Sequence, residues 1–309
     1  MKKAPQLLLL FYTSIMLFTF CEKKEDMEDD VQELEEPEGW PLFEDAVSKG
    51  VVTKDAIDEA SGLAASRRNP GIFWTHNDSG NMPVIFALDE TGAFKAEFSL
   101  LNVPNRDWED IAVGPGPVDN IHYIYIGEIG DNDAVHKANY IYRFPEPDLA
   151  ASGELGAYEI AQYDVITYVY PDGQRDAETL MVDPKTRDIY IVSKRESNVH
   201  LYKAAYPQAT DGVITLEKMA TLPYSFIVAG DIDASGDEIL MKGYTDVYFW
   251  KRKGSETIAA TLSGTPQKIK YLIEPQGEAI AWDAEGVDFY TLSEKRENLD
   301  PHLYFYKRK

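Results

Sequence analysis

The stretch Glu178-Thr-Leu-Met (178–181) begins a short apolar strand, and four other segments begin similarly with a small or acidic residue. These segments are Ser61-Gly-Leu-Ala, Glu109-Asp-Ile-Ala, Gly230-Asp-Ile-Asp and Glu278-Ala-Ile-Ala. The first apolar residues of the five are spaced 48, 69, 52 and 48 residues apart: Leu63, Ile111, Leu180, Ile232 and Ile280. Self-similarity at this period is typical of solenoids, propellers and other repeat proteins.

Each of the first four openings is followed by three further runs rich in β-branched and aromatic residues, with turn residues between them. In the third repeat these runs are residues 189–193, 201–203 and 215–221. Four antiparallel strands per repeat, without helical periodicity, are typical of a β-propeller blade. The sequence therefore predicts an all-β fold, a five-bladed β-propeller.

The last repeat is too short for a complete blade, because only 29 residues follow Ile280. Residues 50–57, just before the first opening, can supply the missing outer strand. Such an N-terminal strand would close the ring and leave no exposed sheet edge between the first and last blades. The 69-residue interval leaves room for another hairpin between Pro145 and Tyr170, so a six-bladed ring is the alternative.

The N-terminus has the pattern of a targeting segment. Lys2 and Lys3 precede an apolar stretch (7–20) that is too short to span a membrane and ends at Cys21, the only cysteine. This pattern resembles a bacterial lipoprotein signal, although Phe20 stands where that signal usually has a small residue. We expect a signal peptide over 1–20 and a lipid on Cys21, with an ordinary secretory peptide or an uncleaved anchor as alternatives. A lipid there predicts a lipoprotein of the outer membrane or cell surface, periplasmic or extracellular.

Composition limits the classes of partner. Residues 21–45 are dense in acid and poor in packing residues, which predicts a disordered tether ahead of a propeller domain over 46–309. The net charge of −23 excludes nucleic acid as a partner, because such a surface repels phosphate. One cysteine also excludes an intrachain disulfide.

Loops on one face of the predicted ring carry most of the charged residues. In a four-stranded blade the innermost strand begins, and the second strand ends, on the same face, so these loops line one funnel. We expect the ligand-binding residues to be His76, Asp78, Asp107, Asp131, Asn132, Lys194, Arg195, Lys242, Lys295 and Arg296.

Three glutamates, Glu109, Glu178 and Glu278, occupy the same position in their repeats and should point at a shared axis. Crowded carboxylates favour a bound cation or a raised pKa. Oxygen ligands without clustered His or Cys suit Ca²⁺ rather than zinc, with Asp231 as a fourth ligand. The alternative is that each glutamate caps its own strand and pairs with a nearby Arg or Lys.

The basic residues in the loops of the last three blades allow two interpretations. Beside a cation they can bind phosphate, carboxylate or sulfate. Alternatively, they neutralise the central carboxylates and bind no ligand.

Several motifs resemble those of an uncharacterised family of secreted bacterial propeller proteins. They are His76-Asn-Asp-Ser-Gly, Asp107-Trp-Glu-Asp-Ile-Ala, residues 126–132, residues 140–147, Asp176-Ala-Glu-Thr-Leu and Glu278-Ala-Ile-Ala. That family is loosely similar in fold to the phytase-like and gluconolactonase-like calcium propellers. The first repeat departs from the pattern with Ser61 in place of glutamate. Fold alone implies no activity.

Two functions remain open from the sequence. One is a surface module that binds a glycan, phosphate-bearing or protein ligand in its funnel. The other is a calcium-assisted hydrolase of a phosphoester, lactone or glycan, with Glu109 or Glu178 as general base. Composition does not separate the two.

Overall fold

The computed structural model describes residues 39–152, 156–296 and 299–309, and nearly all regular structure in them is β-strand. The strands form five sheets in a ring, so the predicted five-bladed β-propeller is confirmed. The signal peptide, Cys21 and most of the predicted tether fall in residues 1–38, outside the described part. None of the described helices is long and apolar enough to cross a membrane.

The first two blades each carry a fifth, parallel outer strand. Blade 1 contains β2 (Ala60–Ala65), β3 (Ile72–Asn77), β4 (Val84–Asp89), β5 (Phe94–Leu100) and β9 (Gly156–Ile160). Blade 2 contains β6 (Trp108–Pro115), β7 (His122–Glu128), β8 (Asn139–Pro145), β10 (Asp164–Val169) and β14 (Val213–Thr215).

The other three blades have four strands each. Blade 3 contains β11 (Ala177–Val182), β12 (Ile189–Ser193), β13 (His200–Ala204) and β15 (Glu217–Thr221). Blade 4 contains β16 (Ile227–Ile232), β17 (Glu238–Gly243), β18 (Val247–Lys251) and β19 (Gln267–Ile269). Blade 5 contains β20 (Ala279–Trp282), β21 (Phe289–Leu292), β22 (His302–Tyr306) and β1 (Val47–Val51).

The N-terminal strand closes the ring, as the short last repeat predicted. Strand β1 pairs antiparallel with β22, with Val47 opposite Phe305 and Val51 opposite His302. It begins and ends earlier than the predicted 50–57, because the chain then turns and buries Ile57 between blades 5 and 1. The propeller also begins before residue 46, since Phe43 bridges to Arg308 and packs on Phe289.

The long second interval does not contain a sixth blade. After β8 the chain forms the short helix α1 (Leu149–Ser152) and returns to blade 1, where β9 pairs in parallel with β5. It then crosses back, and β10 becomes the fourth strand of blade 2. The extra residues of this interval therefore add a fifth strand, β9, to blade 1.

The core lies between the blades, where large aromatic side chains are fully buried, among them Trp74, Trp108, Trp250 and Trp282. The second short helix, α2 (Ile258–Leu262), buries its apolar residues against blade 4. The innermost strand of each blade packs on the innermost strands of both neighbours, and these contacts close between β2 and β20. The starts of these five strands are therefore held around one axis.

Candidate functional site

A polar cavity of about 310 Å³ lies where the innermost strands begin and the second strands end. This is the face that the strand order predicted for the funnel. The structure brings together eight of the predicted site residues around it: Asp78, Glu109, Asn132, Glu178, Lys194, Arg195, Glu278 and Arg296. Asp107 lies directly behind Glu109, with an oxygen within 4.8 Å of the carboxylates of Asp78 and Glu109.

The backbone of the first strands aims two glutamates at the funnel. Glu109 is the extra residue of a β-bulge in β6, because Trp108 pairs with Glu128 and Asp110 with Gly127. Glu178 is the extra residue of a similar bulge at the start of β11. A bulge leaves its extra residue outside the ladder and redirects its side chain. Sequence periodicity carries no signal for this feature.

The carboxylates of the funnel form three overlapping triplets, each with oxygens within 4.8 Å of one another. The triplets are Asp78–Asp107–Glu109, Asp78–Glu278–Glu294 and Glu109–Asp176–Glu178. Seven carboxylates thus stand against three basic side chains in the cavity lining: Lys194, Arg195 and Arg296. The funnel retains a strong excess of negative charge.

Each of the three basic side chains has an acidic partner. Lys194 pairs with Glu178, and both side chains are buried. Arg195 Nε lies 2.6 Å from Asp176 Oδ2, and Arg296 Nη2 lies 2.9 Å from Glu294 Oε2. On the blade 5 side, Tyr244 Oη donates a 2.6 Å hydrogen bond to Glu278 Oε1.

The first triplet (Asp78–Asp107–Glu109) contains no ion pair among the described residues. The Glu109 side chain is 3% exposed, and no described residue donates a hydrogen bond to its carboxylate. Burial raises the pKa of Glu109 well above its usual range, and the carboxylates of Asp78 and Asp107 raise it further. Lys194 lowers the pKa of Glu109 from a distance but offsets these effects only in part, so the triplet has no paired protein cation among the described residues.

Neighbouring carboxyl groups titrate abnormally for the same reasons. Burial, with the nearby Asp107, raises the pKa of Asp78 to about 6. Burial, with the nearby Asp176 and Glu128, raises the pKa of Asp107 to about 6. Burial and Glu278 raise the pKa of Glu294 to about 8. Crowded carboxylates that resist ionisation are frequent at functional sites.

A glycine leaves room beside the first triplet. A Cβ atom at Gly130 would overlap the Glu109 Oε1 and Asp107 Oδ2 atoms. Any larger residue would push into the space between these two carboxylates. Because Gly130 has no side chain, the Glu109 and Asp107 oxygens can lie close together and contact the same ligand.

Two residues in strained backbone conformations line the funnel. Phe226 and Gln276 have φ angles of 53° and 46°, a region that non-glycine residues rarely adopt. They precede the innermost strands of blades 4 and 5. Such strain is concentrated at functional sites in many proteins.

Two predicted basic residues lie outside the cavity lining. Lys242 is fully buried, donates a 3.3 Å hydrogen bond to the Gly243 carbonyl and also bonds the Gly277 carbonyl. Burial lowers the pKa of its amine to about 8. Lys295 instead forms a 2.9 Å ion pair with Asp300. Neither side chain therefore contributes to the cavity lining.

Three other predicted site residues, His76, Asp131 and Asp231, also lie outside the cavity lining. His76 is buried and packs edge-on against Trp108, at a ring-centroid distance of 5.6 Å. Asp131 accepts 2.8 Å hydrogen bonds from the backbone of Val135 and His136 and so shapes its own loop.

Asp231, the fourth predicted metal ligand, joins two blades. Its Oδ2 accepts a 2.9 Å hydrogen bond from the Trp282 backbone N–H in blade 5. The side chain takes part in none of the three triplets. An analogous 2.9 Å bond joins Asp110 to the Leu180 backbone N–H, so these aspartates connect neighbouring blades.

Five lining residues are not among the expected site residues: Glu59, Phe226, Tyr244, Gln276 and Glu294. Of these, Tyr244, Gln276 and Glu294 belong to the loops expected to line the funnel. Glu294 directly precedes Lys295 in a loop that was recognised, and Tyr244 lies two residues after Lys242. In both loops the face was predicted correctly, but the choice of side chain favoured the basic residue.

Comparison with known proteins finds similar solved structures but no family. No family model matches the chain, and no curated protein matches it. One similar solved structure is a nidogen–laminin complex, with 11% identity, a TM-score of 0.45 and coverage of 77% of this chain and 73% of that one. Another is a luciferin-regenerating enzyme, with 10% identity, a TM-score of 0.46 and coverage of 87% and 95%. Both are propeller-type proteins, and neither assigns a ligand or activity to this chain.

Proposed function

We propose that the propeller binds Ca²⁺ at the Asp78–Asp107–Glu109 triplet and, with this cation, holds a small anionic ligand in the funnel. The observation that carries the proposal is the Glu109 carboxylate, which is buried between two other carboxylates without a hydrogen-bond donor or ion pair among the described residues. A buried, unpaired carboxylate is costly, and a cation is the usual remedy.

The donor atoms favour calcium. All three triplets consist of carboxylate oxygens, and none includes a histidine or cysteine. Calcium accepts six to eight oxygen ligands in flexible geometry, whereas zinc prefers nitrogen and sulfur. Gly130 has no side chain to push between Glu109 and Asp107, so oxygens of both can reach one ion.

The ligand is expected to be an anion because positive charge stands at the cavity wall. Arg195 and Arg296 both line the cavity, with side chains 45% and 50% exposed. Their guanidinium groups can exchange an acidic protein partner for a phosphate or carboxylate of a ligand. A bound cation would supply the remaining positive charge.

Calorimetric titration of calcium into protein treated with a chelator tests the proposal. We expect saturable Ca²⁺ binding, weaker Mg²⁺ binding, and phosphate binding that requires calcium. Millimolar calcium should also raise the melting temperature, because a ligand that binds only the folded state stabilises it. An unchanged melting temperature together with no binding heat would rule out the cation site.

Calcium-assisted hydrolysis of a phosphoester, lactone or glycan is the second candidate. The observation that favours it is Glu178, whose Oε1 pairs with Lys194 while its buried Oε2 has no hydrogen-bond partner among the described residues. This oxygen is thus available to accept a proton. Calcium, when bound, polarises phosphoryl or carbonyl oxygens. Turnover of p-nitrophenyl phosphate or a simple lactone that is abolished by chelation would support this candidate.

We also propose that Cys21 carries lipid and tethers the propeller to a membrane. The apolar stretch ending at a single cysteine supports this proposal. The acidic segment that follows would then separate the funnel from the membrane surface.

A further inference from the structure

A second cavity of about 370 Å³ adjoins the funnel at blade 5. Glu294 lines both cavities. Pro275 lines the second cavity, and the next residue, Gln276, lines the funnel. We call this second cavity the side groove. The two spaces therefore share a wall and meet at Glu294.

The side groove differs from the funnel in chemistry. Three aliphatic side chains in its lining are strongly exposed: Leu272 at 46%, Ile273 at 62% and Leu299 at 61%. Exposed hydrophobic residues are ordinarily scattered singly, and a cluster in a groove indicates a binding surface. The funnel, in contrast, is lined almost entirely by charged and polar residues.

We propose that the funnel and the side groove together bind one amphiphilic ligand, with its anionic head in the funnel and an alkyl chain in the groove. This inference rests on the proposed function of the funnel. The described lining of the groove contains acidic residues but no lysine or arginine, whereas arginines line the funnel, so the head belongs in the funnel. There Arg296 lies 2.9 Å from Glu294 and can contact the head.

An alkyl chain fits the groove better than a peptide. An extended peptide binds most readily by pairing with an unpaired strand edge. Strand β22, which contributes His302 and Tyr304 to the groove, is already paired with β21 on one side and β1 on the other. The volume corresponds to roughly ten methylene groups, if each occupies about as much space as one water molecule of the liquid.

A chain-length series of n-alkyl phosphates tests this inference. The full chain carrying Cys21→Ser is used with calcium, so that no lipid of its own competes for the groove. We expect affinity to rise from ethyl to decyl phosphate by up to about four-fold for each methylene that becomes fully buried. The double variant Ile273→Asn with Leu299→Asn should lose this dependence and retain the affinity for inorganic phosphate.

Val118→Asn is the matched control, because Val118 is 52% exposed and lies in the β6–β7 turn, away from the groove. It should leave the whole series unchanged. If phosphate binds but its affinity does not depend on chain length, the side groove does not bind the alkyl chain, and the proposed function of the funnel still stands. If the double variant shows the same dependence of affinity on chain length, the alkyl chain binds outside the side groove and this inference is wrong. Loss of calcium and phosphate binding in every form would overturn both proposals.

Discussion

Glu109 and Glu178 occupy the same bulge position in the first strands of neighbouring blades, but only Glu178 has an ion-pair partner, Lys194. The repeat thus places two identical side chains at one level of the funnel, each close to two further carboxylates. The buried Lys194 amine lies against Glu178, whereas it lowers the pKa of Glu109 only from a distance.

This difference predicts that replacing each glutamate by glutamine changes the free energy of unfolding by very different amounts. Without calcium at pH 7, Glu109→Gln should change the unfolding free energy by less than about 1 kcal/mol, because its raised pKa already favours a neutral side chain. Glu178→Gln should destabilise by about 3 kcal/mol or more, because Lys194 stays buried without its partner. Urea denaturation in the presence of chelator measures both values, and equal losses would contradict the assigned pairing.

Gly130→Ala should block the proposed cation site. The added methyl group would overlap the oxygens of Glu109 and Asp107, so we expect calcium affinity to fall about ten-fold or more. Gly212→Ala is the matched control, since nothing lies within 4 Å of a Cβ at Gly212. Calorimetry measures both affinities. Unchanged calcium binding in Gly130→Ala would place the ion at another triplet.

Stability without calcium should fall as the pH rises from about 6.5 to 8. The pKa of Glu294 is raised from 4.5 to about 8 on folding, so the folded protein holds the extra proton in this window and loses that advantage as it ionises. We expect Glu294 to contribute a decrease of about 1 to 2 kcal/mol, to which the raised pKa values of Glu109 and Asp231 add. His76, whose pKa is lowered to about 4, acts in the opposite direction only below its unfolded value of 6.5.

Glu294→Gln is the variant that checks this assignment. Urea denaturation across the same pH range should show that at least half of the decrease disappears. Added calcium should stabilise the wild type more at pH 8 than at pH 6.5, because cations bind ionised carboxylates. A pH dependence that is identical in the variant would assign the titration to another group.

Cys21→Ser should release the protein from the membrane into the soluble fraction. The lipid on the cysteine thiol would be the main anchor, and serine cannot carry the thioether. Fractionation followed by immunoblotting measures the distribution. If the variant partitions like the wild type, the uncleaved apolar stretch or another contact holds the protein at the membrane.

The sequence repeat by itself was enough to predict the number of blades, the closure of the ring and the face that carries the charged loops. Strand runs of alternating and β-branched residues need only local pairing, so the five blades followed from periodicity. Closure by the N-terminal strand followed from the short last repeat, since a sheet edge has to be covered. The face that bears the charged loops was also predictable, because the strand order alone defines which loops converge.

Only the tertiary structure decided which side chains meet on that face. The bulges that aim Glu109 and Glu178 shift the alternation by one residue, and they depend on pairing with the next strand. Lys242 and Asp231 carry the right chemistry, but the packing between blades turns them to Gly277 and Trp282. The sequence by itself thus determined the ring and its charged face. Which hydrogen-bond or ion-pair partner each charged side chain has depends on distances between blades, and a local sequence pattern does not contain these distances.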